Sequence, residues 1–98
     1  MREQGATHAI SSHGGKDQAF VTELRHLLVD VGRCRLQHIR PLARMQEDLG
    51  IDSFTAVEIL VAIEKRYGIK ILESEVNDIV TFHDLVHFIS HKVRARKR

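Results

Sequence analysis

The stretch Asp48-Leu49-Gly50-Ile51-Asp52-Ser53-Phe54 marks the point where a polar, irregular run gives way to a long segment with a helical apolar period. Ser53 therefore falls at or near the first residue of a predicted helix, and Gly50 permits a tight turn just before it. A helix start offers unpaired N–H groups and the positive end of the helix dipole, which suit a phosphate esterified to the Ser53 hydroxyl. The alternative is that Asp52 or Ser53 only caps the helix. The local pattern leaves both interpretations open.

The predicted helix from about Ser53 to Tyr67 carries two apolar stripes. One stripe consists of Ala56, Ile59, Leu60, Ile63 and Tyr67, and the second consists of Phe54, Val57 and Val61, flanked by Glu58 and Glu64. A helix on the outside of a small bundle needs only one buried stripe. The second stripe therefore either packs beneath the preceding loop or stays exposed as a docking surface beside acidic groups.

Three other segments complete an all-α pattern. An apolar stripe predicts a first helix from an N-cap at Asp17 to a stop at Gly32, and a long loop follows it. A short helix is predicted from Glu73 to Ile79, and Thr81 caps a last helix. We therefore predict a small four-helix bundle with three longer helices, one short helix and a long loop after the first helix.

The length and composition bound the domain organisation. Ninety-eight residues with 43% hydrophobic content make one small domain. We predict a mobile tail over residues 1–16, the folded domain over 17–93 and a basic tail over 94–98. No apolar run is long enough for a membrane span, and no secretory leader is seen.

The single cysteine, Cys34, excludes an internal disulfide and fits a reducing cytoplasm. Arg33 and Arg35 flank it, which predicts a lowered thiol pKa if their charges lie close to the sulfur. The other interpretation, which we favour, is an inert loop thiol.

Charge is segregated along the chain, although the net charge is only +2. Residues 46–84 hold nine acidic and three basic side chains, and both ends are basic. The basic loop lacks interleaved aromatic residues, so we expect no nucleic-acid binding. Equally spaced His83, His87 and His91 on the last helix are open to two interpretations, a zinc or nickel site and an exposed polar face. We favour the exposed face and expect no metal.

The opening stretch resembles the Asp-Leu-Gly-x-Asp-Ser-Leu signature of acyl carrier proteins. The resemblance continues through the following helix, through Gly68-Ile69-Lys70-Ile71 and on to Thr81 and the last helix. It covers about Phe20 to Val93 and is weakest between Gly32 and Arg44. Phe54 replaces the usual leucine, and Leu72 stands where proline is common.

This resemblance implies a function. It implies that a phosphopantetheinyl transferase loads Ser53 with covalent 4′-phosphopantetheine from coenzyme A, with magnesium, and that the terminal thiol of the arm carries acyl groups as thioesters. We therefore expect a free-standing, monomeric, cytoplasmic carrier for fatty-acid or related lipid or polyketide biosynthesis, without catalytic activity of its own. Alternatives are a specialised carrier for an aminoacyl or polyketide intermediate, and an unmodified helical interaction module with a basic tail.

The resemblance also implies two sets of site residues. Acyl-handling enzymes are expected to dock on Asp48, Asp52, Phe54, Val57, Glu58, Val61 and Glu64. The acyl chain is expected to lie between the helices against Ile59, Leu60 and Ile63. Thr55, Lys65 and Arg66 occupy helix positions where the family often has acidic residues, which predicts a carrier with a dedicated partner.

Overall fold

A computed structural model describes residues 8–96 of the chain, with side chains described from residue 18 onward. Its three α-helices are α1 (His8–Asp30), α2 (Ser53–Tyr67) and α3 (Phe82–Arg96). Two short 3₁₀ helices span Leu36–His38, in the loop after α1, and Glu73–Asp78, between α2 and α3. No strand forms within the described residues. The predicted all-α bundle, with one short helix and a long loop after the first helix, is confirmed.

The three α-helices and the long loop share one apolar core. Its buried members are Leu24, Leu27 and Leu28 of α1, Ile59 and Ile63 of α2, Phe82, Leu85 and Ile89 of α3, and Cys34, Ile39 and Ile51 of the loop. The loop contributes three of these side chains, so its length reflects packing against the helices. This anchoring fixes the approach of the chain to Ser53.

The N-terminal part of α1 differs from the prediction. The helix begins at His8, nine residues before the predicted N-cap Asp17. Residues 8–16 lack an apolar period, but extending a helix that is already nucleated adds a backbone hydrogen bond for each residue fixed. The predicted start of the first helix at Asp17 is therefore wrong, and α1 includes residues 8–16 of the predicted mobile tail. The mobility expected for that tail stays a prediction, and residues 1–7 lie outside the described residues.

The predicted boundary at residue 94 is also shifted. Helix α3 continues to Arg96, so the first residues of the basic tail are helical, while residues 97–98 lie outside the described part. At the other end of α3, the predicted capping by Thr81 is confirmed, because its Oγ1 accepts the Asp84 N–H at 3.1 Å. In return, Asp84 Oδ2 accepts the Thr81 N–H at 3.0 Å. Within residues 8–96, no helix combines the length and hydropathy that a membrane crossing requires.

Backbone hydrogen bonds join the long loop to the start of α3. The Met45 N–H donates to the Val80 carbonyl at 2.8 Å, and the Phe82 N–H donates to the Ala43 carbonyl at 2.9 Å. An isolated antiparallel bridge pairs Arg44 with Thr81 between them. We call this pairing of residues 41–45 with 80–83 the clasp. It holds the segment that leads into α2 against the segment that leads into α3.

Candidate functional site

Asp52, and not Ser53, caps helix α2. Asp52 has extended backbone angles, and its Oδ1 accepts the Thr55 N–H at 2.8 Å. This hydrogen bond is the main reason that the pKa of Asp52 lies below its usual value. Ser53 is therefore the first residue of α2, and it is exposed. None of the side-chain hydrogen bonds found in the described part of the chain uses its hydroxyl, so this oxygen is accessible to a modifying enzyme.

A fixed turn delivers the chain to Ser53. Gly50 has a left-handed φ of 67°, a conformation that side chains disfavour. The buried Ile51 anchors the turn in the core, and its N–H donates to the Met45 carbonyl at 3.0 Å. Asp48 Oδ2 accepts the Arg44 N–H at 2.8 Å. Asp48, predicted to recognise partners, thus also closes the loop turn, although its side chain is exposed.

A cavity of about 400 Å³ opens beside Ser53. We call it the acyl cavity, after the acyl chain that is expected between the helices. Its lining consists of Met45, Gln46, Glu47, Ile51, Asp52, Ser53, Ala56, Ile59, Leu60, Val76, Asn77, Ile79, Val80 and Leu85. The innermost side chains are aliphatic and almost fully buried, whereas the polar side chains at the rim are exposed. The cavity therefore has an apolar floor and a polar mouth at the serine.

Two of the three predicted acyl contacts line this cavity. Ile59 and Leu60 do so, but Ile63 does not. Ile63 is completely buried in the core, because the next turn of α2 packs directly against α1 and α3. Sequence reasoning missed the wall formed by Val76, Ile79 and Val80. Val76 and Ile79 are three residues apart, a spacing that places both on one side of a short helix but does not indicate which neighbouring helix they face.

The second apolar stripe of α2 is exposed. Phe54, Val57 and Val61 expose 72%, 58% and 41% of their surface, so the loop does not cover them. We call these three side chains the docking strip. Exposed Glu58 lies on the same helix. An uncovered apolar strip beside a carboxylate is typical of a protein-docking surface.

Glu64 does not join this surface as a free charge. Its Oε2 accepts the Ile71 N–H at 2.7 Å, and the residue is half-buried. It therefore fixes the extended link that follows α2. The helix itself ends at Gly68, which has the left-handed conformation (φ 63°). Recognition of a partner by Glu64 stays a prediction, and this hydrogen bond gives the carboxylate a structural role as well.

The C-terminal end of α2 is tied to α1. Arg66 lies 3.5 Å from Glu23, and the Tyr67 hydroxyl donates to the same carboxylate at 2.8 Å. Burial, followed by this hydrogen bond, raises the pKa of Tyr67 to about 12. Lys65 is exposed and takes part in no ion pair among the described residues. Of the two unusual cations of α2, Lys65 is thus the one available to a partner.

Cys34 is buried, and burial raises the pKa of its thiol. The lowered pKa considered for this thiol is therefore not found, because removal of the sulfur from water disfavours the thiolate, and a raised pKa agrees with the inert thiol that we favour. His83, His87 and His91 lie on an exposed face of α3. The ring centroids of His83 and His87 are 6.3 Å apart, and those of His87 and His91 are 4.5 Å apart. Over the described range, no three His, Cys, Asp or Glu side chains are grouped so as to hold a metal ion.

Comparisons with known proteins agree with this geometry. The family described as "Phosphopantetheine attachment site" matches residues 22–89, which include Ser53. An acyl carrier protein of Thermosynechococcus vestitus is 36% identical over 59 residues, or 60% of this chain and 73% of the relative. The polyketide-8 synthase acyl carrier protein 2 of Streptomyces avermitilis is 32% identical over 71 residues, or 72% of this chain and 82% of the relative.

Helical bundle, accessible serine and family match together define a carrier protein. The chain belongs to the acyl carrier protein family, in which 4′-phosphopantetheine is attached covalently to the protein. Members of this family interact with phosphopantetheinyl transferases and with acyl-handling enzymes. The residues around Ser53 fit this group, because they combine an unobstructed hydroxyl, a helix start and an adjacent apolar cavity.

Proposed function

We propose that the chain is an acyl carrier that bears 4′-phosphopantetheine on Ser53 and presents acyl intermediates to other enzymes. The observation that carries this proposal is the position of Ser53, which is exposed, first in α2 and part of the rim of the acyl cavity. Because Asp52 already caps the helix, the Ser53 hydroxyl has no structural duty that a modification would disturb.

The residues around Ser53 favour a phosphate ester at this position. The positive end of the α2 dipole lies at the serine, and the first amides of the helix point toward the same side. Ser53 itself is exposed at the start of α2. Its exposure leaves the hydroxyl open to a transferase.

The cofactor supplies a terminal thiol that holds acyl groups as thioesters. The protein itself shelters the acyl chain, because Ile59, Leu60 and Leu85 give the cavity an apolar surface. Asp52 is the ionisable group next to Ser53, and it serves as a helix cap. We therefore propose that the chain is not an enzyme and that its loading depends on a transferase with coenzyme A and magnesium.

The docking strip supports a role in partner recognition. Its exposed apolar side chains offer contact area, and exposed Asp48, Asp52 and Glu58 add negative charge. We propose that enzymes which use this carrier place an apolar pocket over Phe54. Lys65, near the C-terminal end of α2, then favours a partner that places a carboxylate opposite it. Carriers with an acidic residue at this position would be repelled by that carboxylate.

Curated relatives include one named simply as an acyl carrier protein and one named as an acyl carrier protein of a polyketide synthase. We propose fatty-acid or related lipid or polyketide synthesis as the process served, and carriage of an aminoacyl group as the alternative within this class. Asp52 before the serine favours an acyl group, on the resemblance described above. An unmodified interaction module is the alternative from a different class, and the position of Ser53 argues against it.

Intact mass spectrometry tests this proposal. The parent chain is incubated with coenzyme A, magnesium and a phosphopantetheinyl transferase of broad specificity, and it should gain one phosphopantetheine. Ser53→Ala should gain none. Ser74→Ala, at an exposed serine of the second 3₁₀ helix, is the matched control and should gain one. Loading of Ser53→Ala would refute the assignment, and failure of the parent with several transferases would favour the unmodified module.

A further inference from the structure

The second 3₁₀ helix, Glu73–Asp78, forms one wall of the acyl cavity. Val76 and Asn77 of this helix line the cavity, and Ile79 and Val80 continue the wall. Yet no residue of the helix is buried, and Val76 is only half-buried. Apolar packing alone therefore holds this wall less firmly than it holds α2 or α3, whose inward side chains are fully buried.

Polar contacts fix both ends of the wall. At its C-terminal end, Asp84 Oδ2 accepts the N–H groups of Val80 and Thr81, each at 3.0 Å. Asp84 belongs to the first turn of α3, so this end moves with α3. These hydrogen bonds make the C-terminal end of the wall a pivot, and a substitution at another residue leaves them intact.

At its N-terminal end, the wall is tied by an ion pair. Lys92 Nζ of α3 lies 3.0 Å from both carboxylate oxygens of Glu75, and Glu75 Oε1 also accepts the Leu72 N–H at 2.8 Å. These contacts, that from Leu72 first, lower the pKa of Glu75.

This ion pair is also the best shielded of those among the described residues. The Lys92 and Glu75 side chains are 27% and 30% exposed, whereas the Arg66–Glu23 side chains are 55% and 44% exposed and the Arg44–Glu47 side chains are 59% each. Solvent therefore screens it less than the other two. The ion pair joins α3 to the N-terminal end of the wall, whereas the pivot lies at the C-terminal end.

We propose that the Glu75–Lys92 pair sets the length of acyl chain that the carrier can shelter. With the pair formed, the wall stays close to α3 and the cavity keeps its volume of about 400 Å³. With the pair broken, the wall swings outward about Val80 and the cavity admits a longer chain. This inference rests on the proposed function, since it concerns the same cavity and the same acyl cargo.

Lys92→Met tests the tie, because methionine keeps most of the aliphatic stem and removes the charge. Lys92→Arg retains the pair, and Lys70→Met removes an exposed lysine that pairs with no carboxylate among the described residues. The first readout is amide hydrogen exchange of residues 73–78 in the unmodified proteins. Exchange should rise about 1.4-fold to fivefold in Lys92→Met, the range that corresponds to the stabilisation measured for surface ion pairs. It should stay at the parent rate in the two other variants.

The second readout is the thermal midpoint of proteins loaded with saturated acyl chains of increasing length. The midpoint should stop rising at a longer chain in Lys92→Met than in the parent, Lys92→Arg or Lys70→Met. Should Lys92→Met fail to fold, Glu75→Gln replaces it, since its amide oxygen can still accept the Leu72 N–H. Parent-like exchange together with a parent-like plateau in the folded variant would overturn the proposal, as would a Lys92→Arg that behaves like Lys92→Met.

Failure of the proposed function gives a different result. In that case the parent itself takes up no cofactor on Ser53, or its thermal midpoint does not depend on chain length. The exchange rates of the unmodified proteins still report whether the pair holds the wall.

Discussion

Filling the acyl cavity from one side should shorten the acyl chain that the protein can bury. Ala56 lines the cavity, whereas Ala62 on the same helix does not, and both are half-buried. Ala56→Leu therefore takes space from the chain, and Ala62→Leu is a control with the same change in volume and helix propensity. The comparison isolates the cavity from general effects on α2.

The structure sets the expected magnitude. A methylene group occupies roughly the volume of one water molecule in the liquid, about 30 Å³, so a cavity of about 400 Å³ has room for at most about 13 chain atoms. Each buried methylene contributes at most about 0.8 kcal/mol. For a domain of this size that corresponds to roughly 3–6 °C in the thermal midpoint. Leucine adds three carbon atoms to alanine, so the Ala56→Leu plateau should come about three carbons earlier.

The assay is differential scanning fluorimetry of each variant loaded at Ser53 with saturated chains of increasing length. The parent and Ala62→Leu should show the same rise and the same plateau, whatever their absolute midpoints. Two results would refute the reasoning. One is a midpoint that does not depend on chain length, which would leave the chain in solvent. The other is an equal shift of the plateau in both variants, which would place the chain elsewhere.

Three further predictions follow from contacts described above. Hydrogen bonds from the backbone N–H groups of Thr81 and Val80 lower the pKa of Asp84 below 3.8 in the folded chain, so the stabilisation that they give is complete above pH 3.8 and is lost as the pH falls through the folded-state pKa. In urea titrations, Asp84→Asn should therefore reduce the free energy of unfolding more near neutral pH than in strong acid, and an equal reduction at both would contradict this. Absorbance titration of Tyr67, the only tyrosine, should give a midpoint of about 12, and Glu23→Ala, which removes both the acceptor and the charge, should lower it while burial keeps it above 10.0; an unchanged midpoint in the variant would exclude Glu23 as a cause. The double variant Thr55→Asp, Lys65→Glu should be turned over faster than the parent by a generic ketosynthase. Equal turnover would show that these charges do not set partner choice. Arg66 is left unchanged in this variant because it pairs with Glu23.

Much of α2 could be predicted from the sequence because its signals are local. Gly68 ends the helix through its own backbone freedom, and Asp52 starts it through a hydrogen bond only three residues long. For the docking strip, the sequence left two possibilities, burial beneath the preceding loop or exposure to solvent, because an outer helix of a small bundle packs only one stripe against the other helices. Tertiary packing decided between them.

The sequence could not reveal contacts between distant segments. Periodicity placed Glu64 on the outside of α2, but it carried no sign that the Ile71 N–H would fold back to its carboxylate. Ile59 and Ile63 are equivalent in the pattern, and only the position of the second 3₁₀ helix separates cavity from core. The extension of α1 to His8 was missed because helix propagation needs no apolar period.

The clasp has a consequence for synthesis of the chain on the ribosome. Met45 receives its backbone partner, the Val80 carbonyl, from 35 residues further along, while the Met45 carbonyl accepts the Ile51 N–H beside the serine turn. Such long-range pairing has to wait until the distant segment has been made, since closing the intervening loop is opposed by chain entropy until the contact forms. A nascent chain that stops before α3 therefore has the local hydrogen bonds of the serine turn but lacks the clasp that holds this turn against the rest of the fold. If Ser53 is the loading site, as proposed, we expect a transferase to load chains that include α3 faster than chains that end before it.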